Sequence, residues 1–226
     1  MEALHSDSCC KLYVHPIITE LSDFAKYFGG ETETIVNSVQ RSFKSIHRQC
    51  ERLTARAMLH DVFGRFVEIS YTPEGKPLLD TAGIAVSISH SKTHVAILLS
   101  TQPCAGVDIE VASPRILSLG QRVAAPEELP NDYDLFDEER KVRALTALWT
   151  AKEAAYKSLD AQAGINMLSD IRVTAYNEET NLPSEVSIKE HGGLCLKSFE
   201  LQDNICTFTN HSITQQYGRQ ERNNVK

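Results

Sequence analysis

The sequence predicts an α+β fold made of two similar halves, and three observations carry that expectation. Strand-period patterns flank one long helical pattern in the first half of the chain, and the same order returns around a second helical pattern after residue 105. The strands come in runs rather than alternating singly with helices, which argues against a βαβ parallel sheet. The chain has 226 residues, 42% of them hydrophobic, enough for one ordinary domain or two small ones. The expected division is residues 11–104, residues 105–213 and a polar, frayed tail over 214–226. No sequence-level repeat proves a duplication.

Lys11 to Ile18 reads as the first strand, and Leu21 to Phe28 as a short helix ended by Gly29 and Gly30. Thr34 to Phe63 lacks Pro and Gly and repeats apolar residues at helical spacing, so one helix is expected there, stopped by Gly64. Val67 to Tyr71 is a strand, Thr72 to Pro77 a turn, and Ile84 to Ser89 and His94 to Ser100 two strands around a turn at His90–Thr93. Ala105 to Val111 is another strand. Loops broken by Pro126 and Pro130 lead to a helix over Glu138–Leu159, rich in Ala, Leu, Lys and Glu. A meander of strands follows, over 171–175, 185–189, 194–201 and 205–210.

Composition excludes several classes of function. The net charge of −7 argues against general nucleic-acid binding. No apolar run reaches the roughly 18 residues that span a bilayer, and the first ten residues do not read as a secretory signal, so a soluble cytoplasmic protein is expected. Cys9, Cys10, Cys50, Cys104, Cys195 and Cys206 form no Cys-x-x-Cys pair and are expected mostly to be small buried hydrophobes. Charge is uneven. Arg41, Lys44, Arg48, Arg52 and Arg56 recur in steps of three and four, which on one helix gives a basic stripe, either a solvated face or a wall for a phosphate-rich ligand.

Four short segments carry chemistry. In Gly106-Val107-Asp108-Ile109-Glu110 the strand period puts both carboxylates on one face, where a hard divalent cation with oxygen ligands would relieve their repulsion. In Trp149-Thr150-Ala151-Lys152-Glu153-Ala154-Ala155-Tyr156-Lys157, helical steps place Trp149, Lys152, Glu153, Tyr156 and Lys157 on one face. Ser87-Ile88-Ser89-His90-Ser91 offers hydroxyls and an imidazole at a strand end, groups that suit a phosphate. Gly75-Lys76-Pro77 is a turn bearing a cation. Each segment alone also reads blandly, as a surface strand, an amphipathic helix, a polar hairpin and an ordinary turn.

In this order and spacing, over residues 75–157, the four resemble the 4′-phosphopantetheinyl transferase superfamily, and within it the larger, surfactin-synthetase-activating (Sfp-type) class. The resemblance implies a fold of two α+β halves packed as a pseudo-dimer with the site in the cleft between them, in a monomer. It implies transfer of phosphopantetheine from coenzyme A to a serine of an apo acyl or peptidyl carrier protein. Asp108, Glu110 and Glu153 would hold Mg²⁺, with Mn²⁺ an alternative. Glu153, directly or through a bound water, would take the serine proton, and Lys157 would sit on the pyrophosphate. Lys76, Ser89, His90 and Lys152 would contact phosphates, with the Gly75–Pro77 turn near the adenine. The 3′-phosphate would fall to Arg48, Arg52 or Arg56, with Arg52 the first choice. Glu128 resembles a commonly acidic position without an assigned role. A metal-dependent pyrophosphatase and a non-catalytic coenzyme A-binding module are the competing readings.

Overall fold

The structure, a computed structural model, describes residues 1–103, 105–159 and 164–213. The expectations for Cys104, for a boundary at that residue and for the tail after Ile213 lie outside those residues.

Three antiparallel sheets and six α-helices make up the described chain. The first sheet has the order β1-β2-β6-β5, formed by β1 (His5–Ser6), β2 (Cys10–Pro16), β5 (Ala85–His90) and β6 (His94–Ser100). Between β2 and β5 come α1 (Ala25–Phe28), α2 (Thr32–Ser42), α3 (Ile46–Phe63) and a small hairpin of β3 (Ile69–Tyr71) and β4 (Pro77–Leu79). After β7 (Val107–Val111) come α4 (Gly120–Val123), α5 (Glu138–Ser158) and α6 (Met167–Asp170). The strands β8 (Ile171–Tyr176), β9 (Pro183–Ile188), β10 (Gly192–Leu201) and β11 (Asn204–Ile213) complete the chain. They join β7 in the order β7-β11-β10-β9-β8. The mixed α+β class expected from the sequence is the class observed.

The long helix expected over 34–63 is two helices. Phe43 is extended (φ −133°), and Ser45 starts α3 by accepting the Arg48 amide, so the chain turns where the apolar spacing runs on. Arg41 and Lys44 therefore leave the basic stripe, and only Arg48, Arg52 and Arg56 stay in register on α3. Gly64, in the left-handed region (φ 65°), closes α3 as expected. β1 and β4 were not foreseen, since β1 has two residues and β4 is three residues long and opens on a proline, which a strand tolerates at its first position.

Alternation along the strands builds the cores. Tyr13, Val95, Ile97 and Leu99 pack with Ala55, Met58 and Leu59 of α3. Leu12, Ala96 and Leu98 pack instead with Val107, Ile109, Cys206 and Phe208 of the second sheet. α5 lays Leu145, Leu148, Ala151 and Ala155 on Ile171, Val173, Val186 and Leu196. The two sheets thus share apolar residues, and the seam is stitched where the Val107 amide donates to Ser87 Oγ (3.0 Å). Cys10, Cys50 and Cys206 are buried, whereas Cys9 and Cys195 are partly exposed. Among the described residues no helix is long and apolar enough to cross a membrane.

Candidate active site

The site forms where β7, β5 and α5 meet. Val107 and Ile109 go into the core, which commits Asp108 and Glu110 to the alternate positions of the same strand. Asp108 is almost wholly buried. Its Oδ1 accepts from Ser89 Oγ on β5 (2.7 Å) and from Lys157 Nζ on α5 (2.6 Å), and Lys157 also donates to Ser89 Oγ (3.1 Å). Asp108 Oδ2 is buried with no partner.

Glu110 and Glu153 complete an acidic group around that lysine. Burial first, then the charges of Asp108 and Glu153, push the Glu110 carboxyl up to about 7, against the pull of Lys157 and Lys92. Burial and Asp108 likewise raise Glu153. An orphaned carboxylate oxygen and two acids made reluctant to ionise are what an oxygen-liganded dication would relieve, so the donor set fits Mg²⁺. The three acids are not drawn together: the His/Cys/Asp/Glu trio with ligand atoms within 4.8 Å of one another, among the described residues, is a different one, His5, Asp7 and Cys10. Lys157, bonded to Asp108 Oδ1, supplies the positive charge there and leaves Oδ2 open.

Beside it runs a cleft of about 260 Å³. Lys76 and Pro77 line it from the hairpin, Ser87 and Ile88 from β5, and Tyr156 and Lys157 from α5. The Lys76 amide is tied to Thr72 Oγ1 (3.2 Å), which fixes the turn.

A second polar group sits at the end of β5. Glu51 of α3, buried, pairs with Arg48 (3.0 Å) and His47 (3.1 Å), and His90 Nδ1 lies 3.5 Å away. Arg48 Nη1 is 2.9 Å from His90 Nε2. Burial, with the Arg48 and Arg52 charges, holds the His90 imidazole below its ordinary value despite Glu51. Glu51 is a residue that sequence reading does not single out. Its three- and four-residue steps from Arg48 and His47 were the available signal.

The three candidate arginines separate. Arg52 lies between the rings of Phe43 and Tyr71, 5.2 Å from each centroid, and donates to the Tyr71 hydroxyl. Arg56 donates back to the Arg52 carbonyl (3.2 Å), and burial lowers its pKa. Arg48 is the one that shares a hydrogen bond with His90.

Lys152 requires a correction. It does not stand with Glu153 and Lys157 as a phosphate contact but is fully buried, its ammonium 2.8 Å from the Glu128 carboxylate. Glu128 also accepts from Arg172 (3.0 Å), the Ala125 amide (2.9 Å) and the Val173 amide (2.9 Å), while Tyr176 donates to its carbonyl. Burial works against that carboxylate, and the Lys152 and amide hydrogen bonds hold it below the usual range all the same. The five residues of the expected helical stripe span more arc than one face, so Lys152 turns inward. Glu128 thereby acquires a role: it pins α5 and β8 to the loop before α5. Lys152→Met would leave a buried carboxylate short of a cation and is expected to cost about 3–5 kcal/mol in urea unfolding. A cost under about 1 kcal/mol would contradict this role.

A model of the 4′-phosphopantetheinyl transferase superfamily matches residues 104–215, the stretch holding Asp108, Glu110, Glu153 and Lys157. A 4′-phosphopantetheinyl transferase AcpT of Salmonella typhi is 30% identical over 181 residues, covering 75% of this chain and 82% of that protein. The chain belongs to the 4′-phosphopantetheinyl transferase superfamily. The same-named protein of Salmonella typhimurium is 29% identical over 180 residues, at the same coverage of both chains. A putative 4′-phosphopantetheinyl transferase of Synechocystis sp. is 31% identical over 115 residues, 47% of this chain and 46% of its own.

This transferase should show its acidic group in its stability. The Glu110 carboxyl titrates near 7 when folded, against an unfolded value of about 4.3, so the folded protein binds the extra proton between the two. Stability from this group is complete below about pH 4 and is lost as pH rises through 7. In chelator, Glu110→Gln is expected to remove about 1–2 kcal/mol of that decline, after allowance for solvent screening. Urea midpoints at pH 5 and pH 8 measure it, and parallel curves for the two proteins would refute it.

Proposed function

We propose that this enzyme transfers 4′-phosphopantetheine from coenzyme A to a serine of an apo acyl or peptidyl carrier protein and releases 3′,5′-bisphosphoadenosine. The observation that carries the proposal is the Lys157–Asp108 ion pair, with Glu110 and Glu153 within electrostatic reach, beside a cleft with Lys76 on its wall. The serine oxygen forms a bond to the phosphorus bearing pantetheine, and the pyrophosphate bridge to the adenosine bisphosphate breaks. Such a reaction needs positioning and charge stabilisation more than covalent help.

Asp108, Glu110 and Glu153 would hold Mg²⁺, which when bound supplies positive charge to the pyrophosphate, and Mn²⁺ would serve. Glu153, with its raised pKa, takes the serine proton. Lys157, on the cleft wall, faces the charge that develops on the leaving phosphate. Lys76, Ser89 and His90 contact phosphates, although Ser89 also orients Asp108. We assign the enzyme to the larger, Sfp-type class, acting as a cytoplasmic monomer whose halves, 11–104 and 105–213, each contribute to the site.

We assign the 3′-phosphate to Arg48 with His90, in preference to Arg52, whose guanidinium is stacked by Phe43 and Tyr71 and bonded to the Tyr71 hydroxyl, with only Nε left without a partner among its buried atoms. Arg48→Ala is expected to reduce discrimination between coenzyme A and its 3′-dephospho form by roughly tenfold or more, since a charged hydrogen bond is worth about 1.5–3 kcal/mol. Arg52→Ala should keep it, and the reverse pattern would return the role to Arg52. The reaction itself is tested by intact-mass analysis of an apo carrier incubated with enzyme, coenzyme A and Mg²⁺. A metal-dependent gain of one phosphopantetheine is expected. Coenzyme A cleavage without a mass gain on several carriers would favour a pyrophosphatase, and binding without cleavage a non-catalytic module.

A further inference from the structure

Away from the cleft, the β1–β2 hairpin gathers His5, Asp7 and Cys10, of which a ring nitrogen, a carboxylate oxygen and Sγ all lie within 4.8 Å of one another. His5 Nε2 is 3.0 Å from Asp7 Oδ2, and Cys10 Sγ is 3.7 Å from that same oxygen. Bonds of about 2.0–2.3 Å from a tetrahedral zinc to N, O and S ligands put the ligand atoms about 3.3–3.5 Å apart. The separations of 3.0 and 3.7 Å fall within a few tenths of that. We propose that His5, Asp7 and Cys10 form a zinc site, with the Asn210 carboxamide oxygen, 3.7 Å from Cys10 Sγ, or a water in the fourth position.

The set is oriented before any ion arrives. Asp7 Oδ1 accepts both the Cys9 and Cys10 amides (2.8 Å each), which turns Oδ2 toward the imidazole and the thiol. The His5 ring packs on Phe208 of β11, centroids 5.2 Å apart. Such outer contacts fix ligands in useful rotamers. The donor types exclude Mg²⁺ and favour a softer dication: one thiolate, one imidazole and one carboxylate suit Zn²⁺. Lys197 of β10 opposes the ion, with Nζ 3.4 Å from His5 Nε2, and must swing out on its flexible stem for zinc to enter.

His5, Asp7 and Cys10 all belong to the N-terminal hairpin, and Asn210 is the one candidate from the second sheet. Cys10 belongs to the apolar cluster shared by β2, β6, β7 and β11, and Asn210 is on β11. With Asn210 in the fourth position, bound zinc would tie the N-terminal hairpin to the second sheet; with water there it would brace the hairpin alone, and either way its effect is on stability and leaves the acidic site's oxygen chemistry untouched.

Titration of the full-length chain with Co²⁺ as a spectroscopic stand-in tests this. One equivalent is expected to give a thiolate-to-cobalt charge-transfer band in the near ultraviolet, displaced by Zn²⁺, which the all-carboxylate site cannot produce. The band should vanish in Cys10→Ser, persist in Cys9→Ser, weaken in affinity by at least about tenfold in His5→Ala, and tighten in Lys197→Ala. Absence of the band, or its survival in folded Cys10→Ser, overturns the site. If Cys10→Ser does not fold, His5→Ala decides, and unchanged cobalt affinity there overturns it equally. Zinc should also raise the thermal midpoint of the wild type but not of His5→Ala, and an equal rise in both would count against the proposal.

Discussion

Gly106→Ala is expected to cost at least about 3 kcal/mol and to abolish activity. An added Cβ would lie 1.9 Å from the Ala154 carbonyl oxygen and 2.8 Å from the Ser158 amide nitrogen, both backbone atoms of α5. A backbone cannot rotate out of the way as a side chain can, so helix and strand must part. Gly106 is further tied to Thr209, which accepts the Gly106 amide at Oγ1 (2.9 Å) and donates its own amide to the Gly106 carbonyl (2.9 Å). The movement therefore has to come from α5, which carries Glu153 and Lys157. The 2.6 Å contact between Lys157 and Asp108 would be lost even in whatever fraction stays folded. Urea unfolding and carrier modification by intact mass measure the two effects. A folded, active Gly106→Ala protein within about 1 kcal/mol of wild type would show that the close approach is dispensable.

Glu153→Gln is expected to leave the fold intact and to slow transfer by about 10²–10⁴-fold, the usual worth of a positioned proton acceptor. The side chain is near in size and keeps an acceptor oxygen but cannot take a proton. A second readout separates loss of the base from loss of structure. Glu153 is among the charges that raise Glu110, so its neutralisation should lower the Glu110 titration from about 7, seen by carboxyl NMR. Near-normal turnover would remove Glu153 from the mechanism. Lost turnover with Glu110 unmoved would mean that the two carboxylates do not interact as described.

Sequence reading reached the residues that line the candidate site through short-range rules and lost ground where long-range contacts decide. The two-residue period of Val107–Glu110 is local and put Val107 and Ile109 in the core, but it could not show that Asp108 is buried as well. The helix over Glu138–Ser158 was legible within one residue because Asp137 caps it and Ala, Leu, Lys and Glu favour it. The break at Phe43–Ser45 was not legible, since Pro and Gly are absent there and a serine N-cap inside a helical pattern looks like any other polar residue. Lys152 was misread because helical spacing cannot say which edge of a wide stripe faces the core. Its partner Glu128 is 24 residues away, across a loop with no periodicity to follow. Gly106 belonged to a motif, yet its reason, the carbonyl of Ala154, lies on an element 48 residues later. Nothing local marked the turn at Asp7, whose ligand geometry depends on strand pairing between β1 and β2.

The bond from Ser89 to Asp108 joins a strand of one sheet to a strand of the other, with Lys157 touching both. It makes the two positions heritable as a unit. A chimaera that takes residues up to 103 from one relative and the remainder from another would inherit the serine and the aspartate from different parents. It would work only where both parents set the β5 and β7 backbones at the same separation. Ser89→Ala and Asp108→Asn should then be strongly non-additive in a double-mutant cycle. Recombination libraries built from this family should recover activity in blocks that keep the two strands together.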